Sequence, residues 1–390
     1  MAIRRQRPPA AEAPSHADGA VRAYPQPIAV SLFDTSAPLA PLRGAIREAI
    51  DAVLTDGRFI LGPQVAAFEE ELARYCGVKH AIGVANGTDA LTIALLAMGV
   101  GPGDEVIVPS FTFYASAEAI PHTGARVVFC DVDSATRCLT AETVRAVLTP
   151  RTKAVIAVHL FGNVAPIADI EALGVPVLED AAQAAGSTDP AGRPGALATA
   201  ATFSFFPSKN LGCFGDGGAI TTSDPDIADR ARTLRFHGSR DKVTYEHVGF
   251  NSRLDEIQAA ILRVQLPHLD EWARGRDAAA GHYAAAGLGE LVGLPQPVGG
   301  CTPAWHLYVV CHPHRDGLAA ALGQAGIGAR VYYATPVHRQ PAMRDQDPGG
   351  DLPVTDELAR THLALPMSPV LSADQAREVV EAVAAAVAPG

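Results

Sequence analysis

The chain has 390 residues, 42 acidic against 31 basic side chains and a formal net charge of −11, with 48% hydrophobic and 19% charged residues. This is the composition of a globular enzyme of one large or two smaller domains, and its acidity argues against nucleic acid as a partner. No apolar run is long enough to span a membrane, and no apolar core follows Arg4, Arg5 and Arg7, so neither a transmembrane helix nor a secretory signal is expected.

Residues 1 to 28 are rich in Ala, Pro, Arg and Ser without periodicity, which predicts a disordered tail. A helix begins near Pro41, with Leu42, Ile46, Ile50, Val53 and Leu54 at helical spacing, and Gly57 to Pro63 breaks it. A second helix carries Val65, Phe68, Leu72 and Tyr75 on one face. Short apolar strands then alternate with helices. The strands are Ala81–Val84, Glu105–Val108, Val127–Phe129, Ala154–Val158 and Pro176–Glu179; the helices are Asp89–Met98, Ala115–Thr123 and Ile167–Leu173. Continuous apolar strands separated by helices predict an α/β fold with a mostly parallel sheet covered on both faces. Ligands of such sheets bind at the carboxyl ends of the strands.

Beyond Gly218 the pattern reads as a strand (Ala219–Thr222), a helix from Pro225, and a long loop from His237 to Asn251. Further helices run from Leu254 to Leu266 and through Trp272 and Tyr283. A Gly/Pro-rich linker spans Gly287–Pro303. It precedes a strand at His306–Val310, a helix at Asp316–Ala325, a strand at Ala329–Tyr333 and a mobile loop over 340–353. Helices over Glu357–Leu363 and Ala373–Val387 complete a small α+β domain. The expected division is a tail (1–28), a large α/β domain (29–290) and a small domain (291–390).

Six scattered cysteines without a Cys-x-x-Cys pair read as reduced thiols of a cytoplasmic protein. Cys311-His312-Pro313-His314 is the nearest approach to a metal motif; lacking a distant ligand pair, it reads as a strand end entering a turn, and no metal is expected.

Four groups at strand ends could carry chemistry. Asn86-Gly87-Thr88 lies between a strand and a helix and offers free N–H groups to a phosphate, although Thr88 is equally suited to be an N-cap. Phe113 is either a core residue or a platform for a flat ring. Asp180, in Glu179-Asp180-Ala181-Ala182-Gln183, is a helix-terminus charge or a carboxylate for a pyridine nitrogen, with Glu179 on the opposite face. Lys209, after Ser204, stands alone in an apolar, glycine-rich run from Phe203 to Gly218. It is either a solvated turn residue or an amine poised for a Schiff base. Together the four describe a pyridoxal-phosphate site. Dinucleotide and Walker glycine patterns are absent, which disfavours NAD and ATP.

The same stretches resemble the DegT/DnrJ/EryC1/StrS sugar aminotransferases, which have the fold of aspartate aminotransferase (pyridoxal-phosphate fold type I). The resemblance runs from about Leu32 to the C-terminus through Gly57–Gly62, Asn86–Leu91, Gly101–Val106, Glu179–Ala184, Ser204–Gly218 and Asn251–Asp255. It implies that Lys209 holds pyridoxal 5′-phosphate as a Schiff base and shuttles protons. It further implies that Asp180 pairs with the ring nitrogen, Gln183 lies near the phenolic oxygen and Phe113 stacks on the ring. Gly87, Thr88 and Ser204 would hold the phosphate. Asn251 would reach the cofactor phosphate of a neighbouring subunit and Arg253 the substrate, making the protein a homodimer with shared sites.

The implied reaction moves an amino group from L-glutamate to a nucleotide-linked keto sugar, dTDP- or UDP-linked, for antibiotic or polysaccharide biosynthesis. Lys209–Gly212 followed by Gly215-Asp216-Gly217-Gly218 resembles the enzymes that aminate a 3-keto position; a 4-keto sugar or a keto-cyclitol is the alternative. Where many relatives read His-Tyr-Pro, this chain reads Tyr332-Tyr333-Ala334, with His338 further on; these residues are expected to face the sugar. Lys209 itself argues against the dehydratase branch, which has histidine there, and against a silent regulatory relative.

Overall fold

The structure is a computed structural model that describes residues 29–346 and 350–388; the expected tail, 1–28, lies outside the described residues. Helices α1 (Arg43–Asp56) and α2 (Pro63–Cys76) come first. Then follow β1 (His80–Val84), α3 (Gly87–Ala97), β2 (Glu105–Pro109), α4 (Ala115–Glu118), β3 (Arg126–Cys130), α5 (Ala141–Val147) and β4 (Thr152–Val158). The chain continues through α6 (Ile167–Glu171), β5 (Val177–Asp180), β6 (Ala200–Ser204), β7 (Gly218–Thr222), α7 (Pro225–Arg235), α8 (Glu256–Gln265) and α9 (Leu269–Ala285). It closes with β8 (Tyr308–Cys311), α10 (Arg315–Gln324), α11 (Pro353–Thr361), β9 (His362–Leu365) and α12 (Ala373–Val387).

Seven strands form one sheet in the order β1-β7-β6-β5-β4-β2-β3. The run from β6 to β3 is parallel, and β7 lies antiparallel between β1 and β6. Apolar clusters cover both faces. One packs α3 and α7 against Ile82, Val106, Ile107, Ile156 and Ile220; the other packs α2 and α8 against Ala81, Phe203 and Ala219. Residues of the central strands are buried throughout, which is why they read as continuous rather than alternating apolar runs. A further core joins Val30 and α9 to β8, β9, α10 and α12.

Local chemistry sets the element ends. α1 stops at Gly57, whose φ of 71° suits glycine. Asn86 caps α3 by accepting from the Asp89 N–H at 2.8 Å, so Asn86 and not Thr88 is the N-cap. The helix expected over Ala115–Thr123 is only four residues of α-helix and a 3-10 turn, because Pro121 supplies no N–H to continue it.

Two expectations near the C-terminus are corrected. The strand expected at Ala329–Tyr333 is a single bridge, Arg330 to Ala364. Beyond it the chain leaves the ladder, anchored by the Tyr333 hydroxyl on Gln183 and by ring contacts with Phe111 and Phe161. The helix expected over Glu357–Leu363 ends at Thr361, and His362–Leu365 pairs antiparallel with β8. Strand partnership overrode helix propensity there.

Candidate active site

The carboxyl ends of β1, β2, β4, β5 and β6 open onto one cavity of about 630 Å³, within the range of small-molecule sites. Gly87, Thr88, Phe113, Asp180, Gln183, Ser204, Lys209, Tyr332 and Tyr333 all line it. Three other expected residues do not. Asn251 is exposed and bridges Phe236, Arg253 lies 5.9 Å from the Phe236 ring, and His338 is tied to Ser110 by a 2.5 Å contact from its Nδ1.

Lys209 lies between the antiparallel strands β6 and β7, in the connection whose base is Ser204 opposite Gly218. Its side chain retains some open surface toward the cavity, but its amine is ringed by protein. Burial lowers its pKa from the ordinary 10.5 to about 8, and the charge of Asp180 opposes that shift. At pH 7 about a tenth of the amines are therefore unprotonated and nucleophilic, far more than for an ordinary lysine.

Asp180 ends β5, only 5% exposed. Ser116 donates to its Oδ2 at 2.7 Å and the Ala182 N–H to its Oδ1 at 3.1 Å, which fixes the carboxylate without using its remaining lone pairs. Its neighbour Glu179 points to the other face. There it accepts from His159 Nε2 at 2.9 Å and from the N–H groups of Gly195, Leu197 and Ala198. Because the Ala165 N–H occupies His159 Nδ1, the Nε2–H is the donor. The alternation of the strand thus gives one acid to structure and the other to the cavity.

The mouth of α3 is the third element. Asn86 takes the Asp89 N–H, and the N–H groups of Gly87 and Thr88 have no partner among the described residues. A Cβ on Gly87 would come within 2.8 Å of the Ser204 Cβ, and one on Gly218 within 2.4 Å of the Asn86 carbonyl oxygen. Backbone and hydroxyl therefore form a close cradle at a helix N-terminus, suited to a phosphate.

Phe113 is 56% exposed and lies 6.2 Å from the Tyr333 ring, so packing into the core is not its role. Gln183 accepts from the Phe161 N–H at 2.6 Å and donates to the Tyr333 hydroxyl at 3.2 Å. Burial raises the Tyr333 pKa, so the hydroxyl stays protonated.

Sequence reasoning missed two lining residues that the structure brings in. Ser116 orients Asp180 from the start of α4, and its only signal was a small polar residue just after Phe113. His306 was read as the first residue of a strand, but the strand starts at Tyr308. Trp305 has a positive φ of 45°, and His306 turns into the cavity wall, facing Asn210 Oδ1 at 3.4 Å. Burial, and then the charges of Lys209 and Arg276, hold its pKa well below the usual value, so the imidazole is neutral. Among the described residues no group of three or more His, Cys, Asp or Glu could hold a metal, and no helix is long and apolar enough to cross a membrane.

A nucleophilic amine, a fixed carboxylate and an anion cradle around one cavity match a flat, phosphorylated carbonyl compound with a basic ring nitrogen. Comparison with known proteins gives the same answer. Residues 42–384 match the DegT/DnrJ/EryC1/StrS aminotransferase family. The chain is 45% identical to a dTDP-3-amino-3,4,6-trideoxy-alpha-D-glucose transaminase of Streptomyces venezuelae, across 91% of this chain and 95% of that protein. It is 44% identical to a UDP-N-acetyl-3-dehydro-alpha-D-glucosamine 3-aminotransferase of Acidithiobacillus ferrooxidans (90% and 96%). It is also 44% identical to a protein of Geobacillus stearothermophilus named a pleiotropic regulatory protein (91% and 98%). The crystal structure of S. venezuelae DesV in complex with a ketimine intermediate superposes with a TM-score of 0.90 at 44% identity, covering 94% of this chain and all of that one. The chain belongs to the DegT/DnrJ/EryC1/StrS aminotransferase family and is a pyridoxal-phosphate-dependent aminotransferase of α/β fold type I.

Proposed function

We propose that the protein transfers the amino group of L-glutamate to the 3-keto group of a dTDP- or UDP-linked sugar. The observation that carries this reading is the cavity in which the Lys209 amine, the Asp180 carboxylate and the free N–H groups of Gly87 and Thr88 meet. These residues fit pyridoxal phosphate, which when bound supplies an electron sink and carries the amino group between the two substrates.

The chain's own groups divide the work. Lys209 Nζ would anchor the cofactor and, when free, move a proton to and from the substrate carbon. Asp180, oriented by Ser116, would keep a ring nitrogen protonated. The Gly87 and Thr88 N–H groups and the Ser204 hydroxyl would hold the phosphate, and Phe113 and Gln183 would hold the ring. Tyr332 and Tyr333 stand where a sugar would enter.

Asn251 and Arg253 belong in this reading to the site of a second subunit. Both lie outside their own cavity. The loop before them exposes Val243, Tyr245 and Val248, an apolar surface that a homodimer would cover. Light scattering should give twice the mass of the chain, and a monomer would remove Asn251 from the site.

The 3-keto assignment draws on the relatives named for 3-amino sugars and on the Lys209–Gly218 loop. The relative with a regulatory name favours a non-catalytic reading, which the complete set of Lys209, Asp180 and Ser204 opposes. The purified protein should be yellow, and its visible band should shift on adding glutamate. A panel of nucleotide keto sugars, with product regiochemistry read by NMR, tests the substrate. An amine at C4 overturns the 3-keto reading; no turnover of any keto sugar, in a protein whose colour ignores glutamate, overturns the enzyme itself.

A further inference from the structure

His306 lines the main cavity, only 4% exposed, and the roles given above leave it idle. Its Nδ1 faces Asn210 Oδ1 at 3.4 Å. The Asn210 amide spends its N–H donors on the carbonyls of Ala185 at 3.3 Å and Ala304 at 2.9 Å, so it offers the imidazole only an acceptor. Nδ1 therefore carries the ring proton. Burial keeps the ring from taking a second one, helped by the charges of Lys209 and of Arg276, a buried arginine of α9 with no ion pair among the described residues. That tautomer leaves Nε2 as a bare lone pair. Nε2 accepts no hydrogen bond from any described residue, yet it is not sealed in the protein as the unpartnered His362 Nε2 is. The open space that His306 borders is the main cavity.

Lys209 has the complementary need. It lines the same cavity, and its amine finds no hydrogen-bond acceptor among the described residues. The two side chains are near enough for the lysine charge to act on the imidazole, and His306 touches Asn210, the next residue in the chain. A lysine amine swings on a four-carbon stem and donates up to three hydrogen bonds, whereas this imidazole is fixed and accepts one. The other charged and titratable groups of the main cavity are Asp89 on α3, Asp180 on β5, Asp216, Tyr332 and Tyr333. Asp34, Cys213 and Arg276 line a smaller cavity that Lys209 also borders. Of all these, Asp180 is the one whose charge acts on the amine, and its carboxylate is the group reserved for a ring nitrogen.

We infer that His306 is a positioning residue for Lys209, its Nε2 accepting a hydrogen bond from the freed amine and holding that amine in the cavity between successive proton movements. The inference rests on Lys209 being the amine that captures the cofactor. A neutral acceptor favours the protonated amine over the free one, so the imidazole offsets part of what burial takes from it. The imidazole itself stays neutral, and no bond to it forms or breaks.

Capture of pyridoxal phosphate by the apoprotein, followed by absorbance against pH, tests this. In the wild type the rate should level off above a pH of about 8. In His306→Phe, a ring without an acceptor, that midpoint should fall by about one pH unit. Its kcat should drop about tenfold with KM for both substrates unchanged. Two amides separate orientation from packing: the glutamine oxygen reaches the place of Nε2, the asparagine oxygen only that of Nδ1. His306→Gln should therefore restore most of the midpoint and the rate, and His306→Asn should restore neither. Melting temperatures identify a variant that has not folded. Nitrogen NMR of the wild-type apoprotein, which needs no variant, should show His306 protonated at Nδ1 and bare at Nε2. A proton on Nε2 overturns the inference, as does an unmoved midpoint in a folded His306→Phe, or rescue by Asn where Gln fails. A raised KM for the sugar at unchanged kcat also overturns it, since His306 would then be a substrate contact. Wild-type apoprotein that captures no cofactor removes the Lys209 reading itself, and the inference with it.

Discussion

The floor of the main cavity and its facing wall are built by different means. On the floor, Asp180 is held by two donors and Asn86 by the helix it caps. Such groups sit at strand ends of a rigid sheet and cannot shift without breaking bonds. The wall is aromatic: Phe113, Tyr332 and Tyr333 meet ring to ring at 5.7 to 6.2 Å, and the Gln183 hydrogen bond to the Tyr333 hydroxyl ties Tyr333 to the floor. Ring contacts are weakly directional and tolerate other rings and shapes. The difference teaches that reaction chemistry is specified by hydrogen-bonded positions, and substrate shape by a surface that can vary without disturbing them.

Breaking the floor should therefore cost far more than altering the wall. Lys209→Ala should lower kcat by about 10³-fold or more, measured in steady state with folding checked by melting temperature. Asp180→Asn should cost about 10²-fold in kcat, since a neutral amide cannot hold a protonated ring nitrogen; an unchanged rate would remove the carboxylate from the chemistry. Capture of cofactor by the apoprotein should follow the Lys209 amine. Its pKa lies below the ordinary 10.5, at about 8, so the capture rate should fall about tenfold per pH unit below 8 and level off above it. A midpoint near 10 would show an unperturbed lysine.

Gly87→Ala sharpens the comparison from the cradle side. Its Cβ would sit 2.8 Å from the Ser204 Cβ, and relieving that contact should cost about 1–3 kcal/mol, read as weaker cofactor binding in a spectral titration. Tyr333→Phe should have the smallest effect, about 1 kcal/mol for the lost Gln183 bond. It should appear in KM for the sugar with cofactor affinity unchanged. A larger loss of cofactor than of sugar binding would dissolve the distinction between floor and wall.

Much of the floor was legible in the sequence because its physics is local. Asp180 follows an apolar strand directly, Gly87 and Thr88 sit at a strand-to-helix turn, and Lys209 interrupts an apolar run. Each is unusual for its neighbours within a few residues. The wall was harder to read. Tyr332 and Tyr333 looked like a strand because tyrosine favours strands, but contacts with Phe111, Phe161 and Gln183 take them off the ladder. His362 looked helical until β8 supplied a partner. His338 appeared close enough to Tyr333 to share its role, yet a hydrogen bond to Ser110 turns it elsewhere. Arg276 was invisible, because nothing in its helix announces that its head will be buried without a counter-ion.

The antiparallel strand β7 has a consequence for assembly. Through Gly218 it joins Ser204, at the base of the lysine connection, to Val84, beside the phosphate turn. The lysine connection spans one β6–β7 hairpin and closes from nearby chain, whereas the phosphate turn reaches β7 only after the intervening strands have been laid down. Closing that long loop is slow and entropically costly. A chain interrupted before β7 has its acid and its lysine on neighbouring strands, but β1 and the turn after it have no strand to pair with. Cofactor colour would then report completed topology, and cofactor supplied during refolding would favour chains that have joined both ends of the sheet.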